Sequence, residues 1–191
     1  DTSIIVASSA EVYQTPAVVP TDENVALTVP DVKNPRYSYG GSKIFSELLV
    51  MNYGLDFFKK SIIFRPHNIY GPNMGYKHVV PQLIKKIVDS KINQNNFIEL
   101  IGSGNETRAF CYIDDNIEVT TKCLYEGHVL NDIMNVGDDN EITILELAQL
   151  VIDVVGNKVN IVHKPALKEG DMMRRKPDIT KMKSIIGHDL L

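Results

Sequence analysis

Tyr39 and Lys43 are the residues whose types and spacing most directly suggest chemistry. If a helix has begun by Gly40, they lie one turn apart on a single helix face. A phenol has an ordinary pKa of about 10 and is a poor base at neutral pH, but a fixed ammonium nearby favours the phenolate. A tyrosine held beside a lysine can therefore serve as a general base. The alternative is a partly buried tyrosine and a surface lysine that pairs with Glu47.

The segments on either side of this pair predict a parallel α/β unit. Residues 4–7 are a continuous apolar run, as expected for a strand covered on both faces, and residues 61–64 (SIIF) predict a second buried strand. Between them lies an apolar helical pattern that Gly54 is placed to end. A strand, a helix and a second strand predict a right-handed parallel crossover. Both strand ends and the helix start then face the same edge of the sheet, so we expect Ser9 and Tyr39 to converge there.

Composition and charge narrow the class of protein. The chain of 191 residues is 43% apolar and 23% charged, which is typical of a soluble globular protein. Its formal net charge of −4 gives no general attraction to nucleic acid or acidic membranes, so any bound anion must be met by local arginines. Cys111 and Cys123 make no disulfide framework and predict reduced core thiols in a cytoplasmic protein. His67 has no second histidine or cysteine at metal-ligand spacing, so no metal site is predicted.

The remaining sequence predicts further strands and helices. Strand-like runs occupy residues 97–101, 109–113, 133–136 and 160–163. One helix is predicted to begin at Pro81, and a second to follow an N-cap at Asp114 or Asp115. A third is predicted to run from the capping box of Thr143 and Glu146 to Gly156. The last is predicted to follow a cap at Asp178 or Thr180.

Four motifs together resemble a known family. They are residues 8–13 (SSAEVY), 39–43 (YGGSK), 65–72 (RPHNIYGP) and 107–115 (TRAFCYIDD). In order and spacing they are similar to the extended short-chain dehydrogenase/reductases that act on nucleotide sugars, the NAD-dependent epimerase/dehydratase family, which includes UDP-glucose 4-epimerase. The four motifs occur in the family's order between residues 8 and 115, which makes the combination far more specific than any one of them.

The resemblance implies a partial Rossmann-like parallel sheet with a small α/β substrate-binding lobe. Residues 1–72 would form the C-terminal half of the NAD-binding domain and carry the catalytic residues. Residues 73–191 would form mostly the sugar-nucleotide lobe, with residues 105–136 returning partly to the sheet. The glycine-rich turn that holds the cofactor pyrophosphate is not in this sequence, which opens at Asp1 without methionine. We therefore expect the back part of a longer, homodimeric protein, and a chain that alone lacks firm NAD binding and activity.

The resemblance also implies roles at the edge of the sheet. Tyr39 would take a proton from a sugar hydroxyl, Lys43 would support it and hold the cofactor ribose, and Ser9 would hydrogen-bond the same oxygen. Pro66 and His67 would line the nicotinamide end of the cofactor. Glu11 is a candidate acid or base.

Substrate contacts are expected from residues further along the chain. Asn68 would touch the phosphates of the nucleotide sugar, although an Asx turn to its own backbone is the alternative. Arg108 stands where the family carries a diphosphate-binding arginine, the alternative being a surface arginine that pairs with Glu106. The family holds the nucleotide with a loop matching Lys168 and Asp171, where lysine replaces the usual arginine. Arg174 and Arg175 could supply the missing guanidinium, or be plain surface charge.

The function these features favour is NAD-dependent epimerisation of a nucleotide-diphosphate sugar, most simply a UDP-sugar, through a transient keto sugar. The first alternative is a 4,6-dehydratase or decarboxylase on the same scaffold. Dehydratases of the family tend to place Asp and then Glu after the hydroxyl residue, whereas this chain has Ala10 and Glu11. A third hypothesis, from another class, is a catalytically silent fragment that binds sugar nucleotides.

Overall fold

The structure is a computed structural model, and it describes residues 2–126, 131–156, 158–166, 172–188 and 190, with the backbone alone for Leu55. The strands of this part of the chain are β1 (Ser3–Ala7), β2 (Lys60–Pro66), β3 (Ile69–Tyr70), β4 (Phe97–Ile101), β5 (Thr107–Ala109), β6 (Cys111–Tyr112), β7 (Asp132–Val136), β8 (Glu141–Thr143), β9 (Asn160–Lys164) and β10 (Arg174–Arg175). The helices are α1 (Ser38–Phe57), α2 (Val79–Ile92), α3 (Ile113–Glu126), α4 (Ile144–Val155) and α5 (Thr180–Ile186). Within these described ranges no helix is both long and apolar enough to cross a membrane.

The chain divides into two compact units. Unit 1 holds the residues up to Ile69, Ala109–Asn140 and those from Lys176 onward, and unit 2 holds Tyr70–Arg108 and Glu141–Arg175. The boundary near residue 70 resembles the division made from sequence at residue 72. Unit 1 also takes in residues 176–191, which the sequence division assigned to the lobe.

Unit 1 is built on a parallel sheet with the strand order β1-β2-β7. Ala7 pairs with Phe64, and Pro66 pairs with Val136, so the three strands end at a common edge. Because β2 is buried along most of its length, its side chains are apolar at consecutive positions rather than alternating. The helix α1 connects β1 to β2, which confirms the predicted parallel strand–helix–strand unit. The core below the sheet joins the strands to α3 and α5 through Ile62, Phe64, Val119, Met134, Val136, Ile179, Met182 and Ile186.

Unit 2 contains two small sheets and two packed helices. β4 and β9 are parallel, β10, β5 and β8 form the second sheet, and α2 packs against α4. The predicted capping box is confirmed, because the Thr143 hydroxyl accepts the Glu146 amide and the Glu146 carboxylate accepts the Thr143 amide. Gly156 ends α4 in the left-handed conformation, with φ of 65°.

Several predicted boundaries were wrong. Gly54 lies inside α1, which continues to Phe57. The predicted strand at residues 109–113 is two short strands separated at Phe110, and a helix begins at Ile113. Asp114 and Asp115 therefore lie in the first turn of α3 rather than at its N-cap, where their charge still suits the helix dipole. Ile179 occupies the N-cap position of α5, although the Asp178 carboxylate accepts the Thr180 amide at 2.8 Å.

Candidate active site

The ammonium of Lys43 lies at the carboxyl end of β1. Its Nζ donates a hydrogen bond to the Ala7 carbonyl at 2.7 Å and lies 5.7 Å from the centroid of the Tyr39 ring. Both side chains thus project from one face of α1, as the four-residue spacing predicts. Tyr39 is 53% exposed, so its phenol is open to an incoming molecule. Lys43 neither points into bulk water nor pairs with Glu47.

Ser9 lies at the same edge, two residues beyond Ala7. It caps the short 3₁₀ helix Ala10–Tyr13, and its hydroxyl oxygen accepts the Glu11 amide at 3.2 Å. The hydroxyl hydrogen is not needed for that contact and can donate to another group. The start of α1 packs directly on this segment, because a Cβ built on Gly40 would lie 2.7 Å from the Glu11 carbonyl oxygen. The residues that flank Ser9 and Tyr39 are therefore in close contact.

A buried ion pair lies one helical turn beyond Lys43. Arg65 at the end of β2 grips the Glu47 carboxylate with two hydrogen bonds, Nη2 to Oε2 at 2.6 Å and Nε to Oε1 at 3.0 Å. The Ser8 hydroxyl donates a short hydrogen bond to the same Oε1. Burial alone would lower the pKa of Arg65, but the hydrogen bonds and the charge of Glu47 raise it above its ordinary value. The guanidinium therefore stays charged inside unit 1.

Tyr13 and Asn135 extend this network across the sheet. Arg65 Nη1 donates to the Tyr13 hydroxyl at 2.8 Å, and that hydroxyl donates to Asn135 Oδ1 at 2.7 Å. Burial raises the pKa of Tyr13 to about 12, against the opposing effect of Arg65, so its phenol remains protonated. His67 Nε2 lies 3.1 Å from the same Oδ1, and since an amide oxygen only accepts, Nε2 carries the hydrogen. The ring of His67 is thus engaged in the core and the residue is 1% exposed.

This network was missed as a functional feature in the sequence. The sequence pattern predicts Glu47 only as a surface partner of Lys43, and Tyr13 only as part of a motif. The signal was present, because residues 39, 43 and 47 share one helix face and two of them carry charges of opposite sign. Nothing local shows that Glu47 is buried and bound to Arg65, 18 residues away.

Pro66 and Asn68 flank the end of β2. Pro66 is the last residue of the strand and is half-buried. Asn68 has a positive φ of 41°, an uncommon conformation for a residue with a side chain. Its Nδ2 donates to the Ala109 carbonyl at 2.9 Å, which fixes the orientation of the side-chain amide. The phosphate contact assigned to Asn68 remains a prediction.

Arg108 and Arg174 are the predicted substrate residues of unit 2 that the structure describes. Arg108 lies in β5, is 7% exposed, and donates from Nη1 to the Thr107 carbonyl at 2.8 Å, so it is not a surface arginine. Arg174 holds the Glu141 carboxylate with Nη2 at 2.6 Å and Nε at 2.8 Å, which raises its pKa. The fork of Arg174 is therefore already engaged with a carboxylate. Lys168 and Asp171 lie outside the described residues.

The residues at the edge of the sheet fit one end of a dinucleotide. Lys43 has three ammonium hydrogens and uses one on Ala7, which leaves donors for ribose hydroxyls beside the exposed Tyr39 phenol. The Gly102-Ser103-Gly104 turn lies between β4 and β5 and opens no helix, so it does not form a pyrophosphate loop. In the part of the chain that the structure describes, the remaining donors of Lys43 beside Tyr39 fit a cofactor ribose, and no glycine-rich strand-to-helix turn fits the pyrophosphate.

The carboxyl edge of this parallel sheet carries a tyrosine, a lysine four residues further on, and a serine. This arrangement defines a Rossmann-like protein of the short-chain dehydrogenase/reductase class. The chain belongs to the NAD dependent epimerase/dehydratase family, whose sequence model matches residues 2–137. This confirms the resemblance drawn from the four motifs, and with it the NAD dependence expected at the level of the family.

A similar curated protein is the UDP-N-acetyl-alpha-D-glucosaminuronate decarboxylase of Bacillus cytotoxicus, 31% identical over 192 residues, which cover 95% of this chain and 57% of that protein. The chain spans about half the length of the curated relatives it matches first. Other relatives are named as dehydratases, decarboxylases and reductases of nucleotide sugars. The family is therefore one of nucleotide-sugar epimerases, dehydratases and decarboxylases.

Solved structures with the same fold confirm the predicted α/β class. RMD from Pseudomonas aeruginosa complexed with NADPH has a TM-score of 0.85 and 22% identity, over 99% of this chain and 61% of that one. The dTDP-glucose 4,6-dehydratase of Bacillus anthracis in complex with NAD has a TM-score of 0.78 and 20% identity, over 98% of this chain and 56% of that one. The mixed α/β architecture with parallel strands is thus a Rossmann-like fold.

Proposed function

We propose that the whole protein catalyses NAD-dependent epimerisation of a nucleotide-diphosphate sugar, most simply a UDP-sugar. The observation that carries this proposal is the position of Lys43, whose ammonium bridges the Ala7 carbonyl and the Tyr39 ring at the edge where Ser9 lies. A general base, a cation beside it and a hydroxyl donor are what removal of a proton from a sugar hydroxyl requires.

The roles follow from this geometry. Tyr39, as the phenolate, takes the proton of the sugar hydroxyl while the O–H bond breaks and the carbon–oxygen double bond of the keto sugar forms. Lys43 stabilises the negative charge on the phenol oxygen and offers its remaining hydrogens to the cofactor ribose. Ser9 donates to the reacting sugar oxygen and orients it. Held at its ribose by Tyr39 and Lys43, NAD would supply the hydride acceptor and donor, and hydride given back to the opposite face of the keto sugar would yield the epimer while Tyr39 returns the proton to the oxygen.

A dehydratase or decarboxylase is the second candidate, and the names of the curated relatives favour it. Both reactions begin with the same oxidation and then lose water or carbon dioxide from the keto sugar. Elimination of water needs an acid and a base beside the sugar, and Glu11 could provide one of them. The preceding residue is Ala10, which is buried and cannot provide the other, and this favours epimerisation.

Product mass separates these reactions. The purified protein is incubated with NAD⁺ and, in turn, a UDP-hexose and a UDP-hexuronic acid, and the products are resolved by chromatography and mass spectrometry. An epimer has the mass of its substrate and a different retention time. Loss of water or carbon dioxide assigns the second candidate instead.

The role of Tyr39 is tested by Tyr39→Phe, which removes the phenol oxygen and leaves the ring. We expect turnover to fall below detection while affinity for the UDP-sugar stays nearly unchanged, because the base acts only on the reacting hydroxyl. Tyr53→Phe is the matched control, since Tyr53 is exposed on the same helix. A normal rate for Tyr39→Phe would refute the assignment.

A silent sugar-nucleotide-binding module is the third candidate, and the lack of a pyrophosphate loop in the described residues favours it for the chain alone. Calorimetry with NAD⁺ and with UDP-sugars tests it directly. Binding of the UDP-sugar without NAD⁺ supports the module for this chain. Absence of turnover in the whole protein as well would remove the enzyme hypothesis.

The predicted homodimer of the whole protein is also a proposal. The outward face of α1 exposes Phe45, Leu48 and Leu49, an apolar surface of the kind that an oligomer covers. Light scattering after size-exclusion chromatography measures the mass in solution, and a monomer at all concentrations would contradict the proposal.

A further inference from the structure

Glu47 is buried on a helix that exposes leucines. It is 3% exposed, whereas the next residue, Leu48, is 55% exposed. A solvated amphipathic helix has the opposite arrangement. Removing a carboxylate from water is costly unless it is paired and hydrogen-bonded, and an apolar side chain would fill the same space at lower cost. The acid at this position therefore calls for an explanation beyond packing.

The contacts of Glu47 connect the three elements that form the edge of the sheet. Its carboxylate accepts a hydrogen bond from the hydroxyl of Ser8, the residue after β1. It also accepts two hydrogen bonds from Nε and Nη2 of Arg65, at the end of β2. Arg65 is held in turn by the Tyr13 hydroxyl and the Glu23 carbonyl. Glu47 therefore occupies a fixed position, and its own oxygens fix α1 against the strand ends.

Lys43 and Glu47 bind consecutive residues at the end of β1, the last residue of the strand and the one that follows it. Lys43 holds the Ala7 carbonyl, and Glu47 holds the Ser8 hydroxyl. Successive turns of α1 thus contact adjacent residues at the end of one strand. Together the two contacts fix the position of α1 along its own axis and its rotation about that axis. Tyr39 lies one turn before Lys43 on the same helix face, and Ser9 is the next residue of the strand end. The relative position of the Tyr39 and Ser9 oxygens thus depends on both contacts.

We propose that Glu47 is a positioning residue for the proposed reaction: held by Arg65, it binds Ser8 and so keeps Lys43 and Ser9 aligned with Tyr39. Glu47 touches neither Tyr39 nor the reacting atoms in this arrangement and acts through Ser8 and the turn of α1. The inference depends on the proposed function for its consequence in catalysis. Its geometric part, the coupling of Glu47 to Lys43, does not.

Two variants test the proposal. Glu47→Gln keeps the shape of the side chain but faces the Arg65 guanidinium with an amide nitrogen. Ser8→Ala removes only the link to the strand end and keeps the ion pair between Glu47 and Arg65, so it remains informative if Glu47→Gln does not fold. Ser46→Ala is the control, because its hydroxyl lies on the same helix and donates within α1, to the Ser42 carbonyl.

Turnover and lysine reactivity are measured for each variant. We expect kcat to fall by about tenfold or more while KM for the UDP-sugar changes by no more than about twofold, because misalignment affects the reacting geometry rather than the grip on the substrate. Pulsed acetylation read by mass spectrometry reports on Lys43, with exposed Lys85 as the internal reference. We expect Lys43 to be modified about threefold faster in both variants, because loosening its charge-assisted bond to Ala7 frees the amine.

The possible results separate the explanations. Both variants could have a lower melting temperature and yet show the same kcat and the same Lys43 reactivity as Ser46→Ala. In that case Glu47 only forms a structural ion pair, and the proposal is overturned. If the wild-type protein shows no turnover, the proposed function fails. The reactivity of Lys43 then decides the coupling: faster modification supports it, and an unchanged rate overturns it.

Discussion

Replacing Gly40 with alanine should push apart the two segments that carry the candidate catalytic groups. Gly40 follows Tyr39 in the first turn of α1. A Cβ at this position would lie 2.7 Å from the Glu11 carbonyl oxygen and 2.6 Å from Gln14 Nε2. The Gln14 amide can move, but the Glu11 oxygen belongs to the backbone of the short helix after Ser9. The added methyl group must therefore displace one backbone segment from the other.

The size of the effect follows from the contact distances. Ordinary contacts of a Cβ begin at 3.4 Å, so the backbone oxygen at 2.7 Å must retreat by about 0.7 Å in a close-packed interior. A misplacement of about 1 Å can reduce an enzymatic rate by about 100-fold, so we expect turnover to fall by about 30- to 100-fold. Overpacking should also destabilise unit 1 by about 1 to 3 kcal/mol, offset by about 1 kcal/mol from the better helix propensity of alanine.

Gly41→Ala is the matched control, because it makes the same substitution one residue further along. Its Cβ would meet only the Val29 side chain, at the ordinary distance of 3.5 Å. We expect Gly41→Ala to keep normal turnover and to gain up to about 1 kcal/mol of stability from helix propensity. Urea unfolding followed by circular dichroism measures both variants, and turnover of a UDP-sugar is measured beside it. If Gly40→Ala matched Gly41→Ala in both stability and rate, the close packing of α1 on the segment after Ser9 would be wrong.

Three further outcomes concern stability and reactivity. Gly137→Ala should lower the free energy of unfolding by about 1 to 3 kcal/mol, because its Cβ would lie 2.9 Å from the rigid Pro177 ring. Thr143→Ala should cost about 1 kcal/mol through loss of the N-cap of α4, as measured by urea unfolding. Cys111 and Cys123 should resist iodoacetamide at pH 8 and react only in urea, because burial raises the pKa of Cys111 to about 12 and that of Cys123 to about 11.

Each of these outcomes has its control. Gly75→Ala adds a methyl group where no atom lies within 4 Å, so equal destabilisation by Gly75→Ala and Gly137→Ala would contradict the packing argument. Hydrogen bonds from Thr143 also lower the pKa of Glu146. The ionised Glu146 therefore adds to the free energy of unfolding at pH values above the ordinary carboxyl pKa, and this addition is lost as the pH falls through the lowered pKa. Thiols with a raised pKa contribute in the opposite sense: the unfolded thiols ionise first, so stability should fall as the pH rises from about 9 towards the folded values. Rapid alkylation of the native protein would contradict the burial of both cysteines.

Local patterns were enough to predict much of the fold. The apolar runs of β1 and β2 indicated a covered parallel sheet, and the capping box at Thr143 with Gly156 marked both ends of α4, because cap chemistry is encoded within a few residues. Gly54 was misread as a helix end for a physical reason. Its missing Cβ lets α1 pass close to Ser61, whose Oγ would lie 3.3 Å from an added Cβ, and a glycine needed for close approach looks in sequence like one that ends a helix.

The candidate site could be predicted only where its geometry is local. The contact between Tyr39 and Lys43 follows from helix spacing, so the pattern alone was sufficient. The burial of Glu47 depends on its ion pair with Arg65, which lies in β2. Helix periodicity instead predicts that the leucines next to Glu47 face the core and that its carboxylate faces water, which is wrong. The bidentate pairing of Arg174 with Glu141 spans 33 residues and likewise has no local signal.

The discontinuity of unit 1 has a consequence for its synthesis. Ile179, Met182 and Ile186 of α5 complete the same apolar cluster as Ile62 and Phe64 of β2. During translation, β1, α1 and β2 emerge from the ribosome more than a hundred residues before α5. Until α5 has emerged, the apolar side chains of β2 lack part of their cover, and such exposed apolar surface favours aggregation of a growing chain.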